Sequence, residues 1–286
     1  MILDLKSKTI MNKEIESLWR GTSVELLKAL HILTRDGKLN ADSRRKLKQV
    51  QHLTQLMEPM IQKIAKIQGK ISVVDMGAGK SYLGFVLYDL ILKNLPEPRL
   101  ISIESRSELI EKSKKLAEDS QFDGMHFLAA SIEEAKLDEP IDLVCALHAC
   151  DTATDDAIAF GIRQNAKAFA LVPCCQAEIA GQLNQVKGAE LSPLAKHPLH
   201  RREFGSHLTN VIRTLYLSSL GYQVTVTELV GWEHSMKNEL ILAEKRSSPD
   251  HPESLKSKAA LIKLLSEYHV NPKLTRLAGI EIADLA

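Results

Sequence analysis

Apolar residues recur at every third or fourth position over residues 17–33 and 43–68, and polar residues fill most positions between them. This spacing places the apolar side chains on one face of a helix, so both segments are predicted to be amphipathic helices. Asp42 and Ser43 stand at the start of the second segment and are predicted to cap it. Residues 1–69 are therefore expected to form a helical N-terminal region.

The pattern changes after Gly69, where short apolar runs begin to alternate with helix-period segments. The runs predicted as strands are 71–77, 99–105, 125–131, 141–150, 166–175, 222–230 and 238–246, and the segments predicted as helices are 80–95, 107–120, 152–165 and 208–221. Residues 177–205 follow neither period and are expected to be irregular. Residues 251–270 again have a helical period and are expected to open a helical tail.

Alternating strands and helices predict an α/β fold, in which helices cover both faces of a parallel sheet. The last two predicted strands lie close enough in sequence to pair as an antiparallel hairpin. Parallel strands that end in such a hairpin are typical of the Rossmann-like sheet of class I methyltransferases. The predicted domains are a helical N-terminal region at 1–69, this sheet domain at 70–246 and a helical tail at 247–286.

The stretch VVDMGAGKSYLG, residues 73–84, joins the first predicted strand to the next helix. Its GKS letters suggest the phosphate-binding loop of an NTPase, but that motif needs a glycine where Val74 stands. Asp142, which would have to hold the metal ion, begins its strand and so lies at the wrong edge. The dinucleotide motif G-x-G-x-x-G is also incomplete, because Tyr82 replaces the third glycine.

The pattern Asp-x-Gly-x-Gly does fit, because Gly77 and Gly79 allow a tight turn and a close approach to a ligand. The Asp75 carboxylate suits an ammonium group, which S-adenosylmethionine carries and NAD and ATP lack. Glu104 ends the second strand, where a carboxylate can accept both ribose hydroxyls. S-adenosylmethionine is therefore the predicted cofactor. The residues predicted to bind it are Asp75, Gly77, Ala78, Gly79, Glu104, Ser131, Ile132 and Leu147.

A second group of polar residues follows the fourth and fifth strands, whose ends face the same crevice in a parallel sheet. One interpretation is a catalytic group with His148 as general base, formed by His148, Asp151, Asp155, Cys174 and Cys175. A second is a metal site formed by His148, Cys150, Cys174 and Cys175. A third is a packing role for the cysteines, with Thr152 capping the following helix. The spacing differs from the usual zinc pairs C-x₂₋₄-C, so no metal is expected.

Three motifs carry a family resemblance: GAGKSYLG at 77–84, H-x-C-x-x-A-T-D at 148–155 and P-C-C at 173–175. Together they resemble a family of Rossmann-fold methyltransferases that includes the eukaryotic tRNA acceptor-stem 2′-O-methyltransferases and related methyltransferase-like proteins. The resemblance covers roughly residues 40–245. It implies that the glycine turn and Glu104 bind S-adenosylmethionine, and that residues 148–155 with Cys174 and Cys175 form the active-site wall.

The charge distribution suggests a polyanionic partner. Residues 1–70 contain 14 Lys and Arg against 7 Asp and Glu, a net +7, whereas the whole chain is only +1, which leaves −6 for the rest. The basic N-terminal helices and residues 196–207 are therefore expected to contact RNA. A methyltransferase for a small molecule or protein, and a non-catalytic module that binds the cofactor or RNA, are the alternatives.

The four cysteines lie between residues 145 and 175, unlike a disulfide framework, and the N-terminus has no signal-peptide layout. A cytoplasmic protein without a membrane partner is expected.

Overall fold

The computed structural model describes residues 24–147, 149, 151–173, 176–184, 196–229 and 239–280. Its centre is a seven-stranded sheet of order β3-β2-β1-β4-β5-β7-β6. The strands are β1 (Ile71–Met76), β2 (Pro98–Glu104), β3 (Met125–Ala129), β4 (Leu143–Leu147), β5 (Ala168–Val172), β6 (Tyr222–Glu228) and β7 (Glu239–Lys245). Strands β1 to β5 are parallel, β7 pairs antiparallel with β5, and β6 pairs antiparallel with β7. This arrangement confirms the predicted fold class.

Helices connect the strands and follow them. The α-helices are α1 (Val24–Ala29), α2 (Ala41–Gln68), α3 (Tyr82–Leu90), α4 (Ser107–Asp119), α5 (Ala153–Arg163), α6 (Glu178–Leu183), α7 (Pro198–Ser219), α8 (Pro252–Tyr268) and α9 (Lys273–Leu277), and a 3₁₀ turn spans Leu92–Asn94. None of the described helices has the length and apolar character needed to cross a membrane.

Two predictions about where helices begin are wrong, one for α2 and one for residues 177–205. Helix α2 begins at Ala41, so Asp42 and Ser43 lie within its first turn and not at the predicted N-cap position. Residues 177–205 are not irregular throughout, because α6 and the first turns of α7 lie in this range. Pro198 opens α7 at a position where its fixed φ and missing N–H are compatible with a helix.

The alternation of side chains along the strands builds a core on each face of the sheet. On one face Val74, Met76 and Ile103 pack in a cluster with residues of α5, α7, α8 and α9. On the other face Val73 and Leu100 pack in a cluster with residues of α2 and α3. The C-terminal helices α8 and α9 therefore contribute to the main core, through Leu261, Leu265 and Leu274.

Gly161 offers a test of how tightly α5 packs on the sheet. A Cβ at this position would lie 2.3 Å from Cε1 of Phe169 and 2.9 Å from Cγ2 of Val144. Gly161→Ala is therefore expected to lower the free energy of unfolding by about 1–3 kcal/mol, measured by urea denaturation. Gly181→Ala in α6 is the matched control, since nothing lies within 4 Å of its added methyl group. A Gly161→Ala variant as stable as this control would contradict the packing.

Candidate active site

The glycine turn follows the carboxyl end of β1, and three residues from Gly77 to Ser81 have a left-handed backbone conformation. Gly77, Gly79 and Ser81 have φ angles of 66°, 58° and 53°. The Ala78 N–H donates to the Ile103 carbonyl at 2.9 Å, which anchors the turn to β2. A Cβ on Gly77 would lie 3.5 Å from Cδ1 of Ile132, so the segment after β3 borders the same turn. Because Ser81 is left-handed, α3 begins at Tyr82, two residues later than predicted.

Glu104 connects the end of β2 to this turn. Its side chain is 7% exposed, and Oε2 accepts a hydrogen bond from the Gly79 N–H at 2.8 Å. Oε1 accepts from the Arg106 N–H at 3.1 Å and from Arg106 Nε at 2.8 Å. Burial acts to raise the pKa of Glu104, but the hydrogen bonds from Arg106 and Gly79 outweigh it and hold the pKa at about 2. The carboxylate is therefore ionised and fixed beside the glycine turn.

The segment after β3 supplies the next predicted cofactor residues. The Ser131 hydroxyl donates to Glu134 Oε2 at 2.7 Å and accepts from the Glu134 N–H at 3.3 Å, which closes a local turn. Ile132 is half-buried beside Gly77, and Leu147 is half-buried at the end of β4. The structure thus brings Gly77, Gly79, Glu104 and Ile132 together, with Ser131 and Leu147 at the same edge of the sheet.

Asp75, whose carboxylate is predicted to suit the ammonium group of the cofactor, is buried in the structure. Since it shares a face of β1 with Val73, its side chain lies under α3 and is 2% exposed. Burial raises the pKa of Asp75 to about 7, although a hydrogen bond from the Gly84 N–H opposes the rise. Its Oδ2 has no hydrogen-bond partner among the described residues. The backbone of Asp75 precedes the turn, but its carboxyl is buried, so its contact with an ammonium group stays a prediction.

The buried Asp75 carboxyl predicts a pH-dependent stability. An unfolded Asp titrates near 3.8, so between about pH 4 and 7 the folded protein retains a proton that the unfolded chain releases. The resulting stabilisation is full below about pH 4 and is lost as the pH rises through about 7. The Asn side chain of Asp75→Asn stays neutral at both pH values. The free energy of unfolding of this variant is therefore expected to exceed that of the wild type by about 1–3 kcal/mol at pH 8 and by less at pH 5. Urea denaturation at both pH values checks this; a constant difference between the variants would contradict it.

At the opposite edge of the sheet lies Asp142, the residue that an NTPase would need beside the glycine turn. Its Oδ2 accepts from the Ser72 N–H at 2.9 Å, and its Oδ1 accepts from Lys167 Nζ at 2.9 Å. These contacts join the amino ends of β1, β4 and β5, whereas the glycine turn follows the carboxyl end of β1. Asp142 therefore lies away from the glycine turn, as the sequence predicted, and it is not placed to hold a metal ion there as an NTPase would require.

Asp151 joins the segment after β4 to the segment after β5. This residue has a φ of 51°, and its Oδ1 accepts from the Ala177 N–H at 2.9 Å and the Glu178 N–H at 3.3 Å. Asp151 thereby caps α6 and links the segment after β4 to the segment after β5. The predicted residues His148, Cys150, Cys174 and Cys175 lie outside the described residues, so both the catalytic group and the metal alternative stay predictions.

Asp155 belongs to a buried polar network that sequence reasoning missed. Its Oδ1 accepts from Arg213 Nε at 2.7 Å, and both side chains are at most 2% exposed. Burial raises the pKa of Asp155, and the charge of Arg213 opposes that rise. Arg213 Nη2 also donates to the Asp151 carbonyl at 2.8 Å, and Nη1 donates to Asn210 Oδ1 at 3.2 Å. Asp155 therefore holds α7 against the start of α5.

The same network continues from α7 to β5 and β7. Gln176 Nε2 donates to Asn210 Oδ1 at 3.2 Å, and Asn210 Nδ2 donates to Glu239 Oε2 at 2.9 Å. The Ser206 hydroxyl donates to Gln176 Oε1 at 2.6 Å. Helix α7 is thus attached by hydrogen bonds to the residue that follows the P-C-C motif.

Thr152 occupies the predicted N-cap position of α5, but its side chain makes no capping hydrogen bond. The neighbouring Thr154 hydroxyl instead donates to the Ala149 carbonyl at 2.5 Å. This hydrogen bond connects the first half of the H-x-C-x-x-A-T-D motif to its second half.

The basic segment, residues 196–207, forms the start of α7 and the residues before it. Lys196, His197 and His200 are exposed, and the His197 and His200 rings make an edge-on contact with centroids 5.4 Å apart. Arg202 is exposed and pairs with the adjacent Glu203 at 3.2 Å. Ser206, near the end of this segment, bonds to Gln176 after β5, and Arg202 lies one helical turn before Ser206.

Residues 45–182 match a family described as a methyltransferase domain. The match covers somewhat less than half of the 286 residues. It includes the glycine turn, Glu104 and the ends of β4 and β5. The chain therefore contains a methyltransferase domain. No curated protein matches the sequence.

Several solved structures are similar to this chain at low identity. One is the methyltransferase PaMTH1 of Podospora anserina with bound SAH, 11% identical over 82% of this chain and 93% of that chain, with a TM-score of 0.47. Another is an rRNA methylase from Streptococcus thermophilus, 11% identical over 62% of this chain and 88% of that chain, with a TM-score of 0.42. A third is the magnesium protoporphyrin IX methyltransferase of Synechocystis PCC 6803 with bound SAM, 10% identical over 82% and 96% of the two chains, with a TM-score of 0.43.

Proposed function

We propose that the protein transfers a methyl group from S-adenosylmethionine to RNA. The observation that carries the cofactor assignment is the ionised Glu104 carboxylate, held by the Gly79 N–H at the carboxyl end of β2. A carboxylate at this position can accept both hydroxyls of a ribose. The known structures PaMTH1 and magnesium protoporphyrin IX methyltransferase, which bind SAH and SAM, are consistent with this assignment.

S-adenosylmethionine supplies an activated methyl group on a sulfonium, so the protein mainly has to position the nucleophile in line with it, about 3–3.5 Å from the methyl carbon. Glu104 orients the ribose, and the backbone of Gly77 and Gly79 leaves space for the ligand beside the turn. Ile132, next to Gly77, supplies an apolar side chain for the adenine.

The chemistry of the acceptor decides which further residues act. If the acceptor is a hydroxyl, His148 is the proposed general base, because a hydroxyl must lose its proton during transfer. Asp151 and Asp155 then act through the segments they hold, since Asp151 caps α6 and Asp155 is paired with Arg213. Cys174 and Cys175 are proposed to line the acceptor side of the pocket.

The basic segment supports RNA as the acceptor. Lys196 and Arg202 are exposed just before and within the first turns of α7, and Ser206, one turn beyond Arg202, is bonded to Gln176 after β5. A phosphate backbone bound there would lead a nucleotide toward the ends of β4 and β5. The resemblance to tRNA acceptor-stem enzymes makes tRNA the first RNA class to test.

Methyl transfer to RNA can be measured with S-adenosylmethionine that carries a labelled methyl group and with total RNA from cells that lack the gene. We expect label in RNA with the wild type and much less with Glu104→Gln when the cofactor concentration is below saturation. Label that enters protein or small molecules in an extract, and never RNA, would instead support the alternative methyltransferase functions. Cofactor binding without transfer to any fraction would support the non-catalytic alternative.

Charge reversal at the basic segment tests the RNA contact separately from chemistry. Lys196→Glu combined with Arg202→Glu is expected to weaken RNA binding by about tenfold in a filter assay, with a shallower salt dependence. Lys256→Glu combined with Lys258→Glu on α8 is the control, because it also reverses two exposed charges but outside this segment. Equal RNA affinity in both variants would contradict the assignment.

A further inference from the structure

The Arg106 side chain covers the Glu104 carboxylate from the solvent side. Its Nε lies 2.8 Å from Oε1 and its Nη2 lies 3.3 Å from Oε2, so one guanidinium group contacts both oxygens. The Arg106 side chain is 60% exposed, whereas that of Glu104 is 7% exposed. The exposed guanidinium of Arg106 therefore lies between the buried Glu104 carboxylate and the solvent.

The hydrogen bonds at Glu104 leave little capacity for a ligand. Oε2 accepts from the Gly79 N–H and from Arg106 Nη2. Oε1 accepts from the Arg106 N–H, Arg106 Nε and the Ser105 hydroxyl. An ionised carboxylate offers about four acceptor sites in total. Two ribose hydroxyls can be accommodated only if side-chain donors leave, because the backbone donors are fixed.

The guanidinium also occupies space above the glycine turn. Nη2 of Arg106 lies 4.0 Å from the position that a Cβ on Gly79 would take. A ribose that reaches Glu104 from the open side must pass through this space. The hydrogen bonds and the position of the guanidinium therefore independently identify Arg106 as the group that a ligand must displace.

We propose that Arg106 competes with the cofactor ribose for Glu104 and must swing away before S-adenosylmethionine or its product can bind. This inference rests on the proposed function, since it concerns the same cofactor site. The methyl donor and the demethylated product share the ribose, so Arg106 weakens the binding of both. Its return to Glu104 favours product release after each turnover.

Calorimetric titration with S-adenosylhomocysteine tests the competition, because this probe has the ribose but no sulfonium charge. Arg106→Ala is expected to bind the probe about two- to fivefold more tightly than the wild type, the range that a partly exposed ion pair produces. Arg106→Lys should fall between them, since an ammonium group cannot contact both oxygens in the planar geometry of a guanidinium. Lys115→Ala removes a positive charge farther along α4 and is expected to bind like the wild type.

Salt provides a readout that a merely structural role of Arg106 would not affect. An exposed ion pair is screened at high ionic strength, so the advantage of Arg106→Ala over the wild type should shrink between about 0.05 and 0.5 M NaCl. Urea denaturation in parallel should give the two proteins similar midpoints.

The outcomes separate this inference from the proposed function. A wild type that binds the probe, with Arg106→Ala equal or weaker, would overturn the competition and leave the cofactor assignment intact. A wild type that binds neither S-adenosylhomocysteine nor S-adenosylmethionine would overturn the proposed function and the inference with it. Tighter binding by Arg106→Ala than by the wild type and Lys115→Ala, with the advantage reduced at high salt, supports the competition.

Discussion

Glu104→Gln is expected to weaken S-adenosylmethionine binding by about 30- to 100-fold, while the protein stays folded. The amide keeps the volume of the side chain but has one acceptor oxygen, so it cannot accept both ribose hydroxyls. It also removes the charge that strengthens these hydrogen bonds, which are worth about 1.5–3 kcal/mol each when one partner is ionised. The loss of Arg106 as a competitor recovers only a small part of this affinity.

Calorimetry measures this effect, and Glu108→Gln is the matched control. Glu108 is an exposed acid in the first turn of α4, four residues from Glu104. Its neutralisation changes the local charge by the same amount without touching the predicted ribose position. An affinity of Glu104→Gln within about threefold of the control would mean that the ribose does not bind at Glu104.

The second large effect is expected at Arg213. Arg213→Met leaves the Asp155 carboxylate buried without its partner and frees the Asp151 carbonyl from its bond to Arg213. Removal of one member of a buried ion pair costs about 3–5 kcal/mol of folding free energy. We expect a loss of this size in urea denaturation, together with weaker methyl transfer, because α7 loses its attachment to the segment after β4.

A double variant distinguishes the ion pair from simple packing. Arg213→Met combined with Asp155→Leu removes both charges and is expected to be more stable than Arg213→Met alone, since no unpaired charge remains. Arg202→Ala on the exposed face of the same helix should change stability by no more than about 0.5 kcal/mol. A double variant less stable than the single one would show that the carboxylate is not the source of the cost.

The strands and the glycine turn could be predicted because their signals are local. Four of the six residues of β1 are apolar, and Gly77 and Gly79 both adopt the left-handed conformation that their residue type favours. Glu104 could be predicted for the same reason, since a carboxylate at the end of β2 follows from the strand pattern alone. The structure adds that Gly79 and Arg106 hold this carboxylate in place.

The buried network could not be predicted, because its members are far apart in sequence. Arg213 lies 58 residues from Asp155, and Asn210 lies 34 residues from Gln176. Within the α7 sequence Arg213 has the same residue type as the exposed Arg202, and only the packing of α7 buries it. The burial of Asp75 has a local cause, because strand alternation places it on the same face of β1 as Val73, under α3. The glycine turn begins only two residues later, so the pattern around Asp75 alone does not distinguish a buried carboxyl from one that faces the ligand.

The most direct measurement of the cofactor site is a crystal structure of the protein with S-adenosylhomocysteine. We expect both ribose hydroxyls to lie within hydrogen-bond distance of the Glu104 carboxylate and the adenine to pack near Ile132. The Arg106 guanidinium is expected to have left both carboxylate oxygens. Ligand density at another edge of the sheet, or a ribose bound elsewhere while Arg106 remains paired with Glu104, would contradict this expectation.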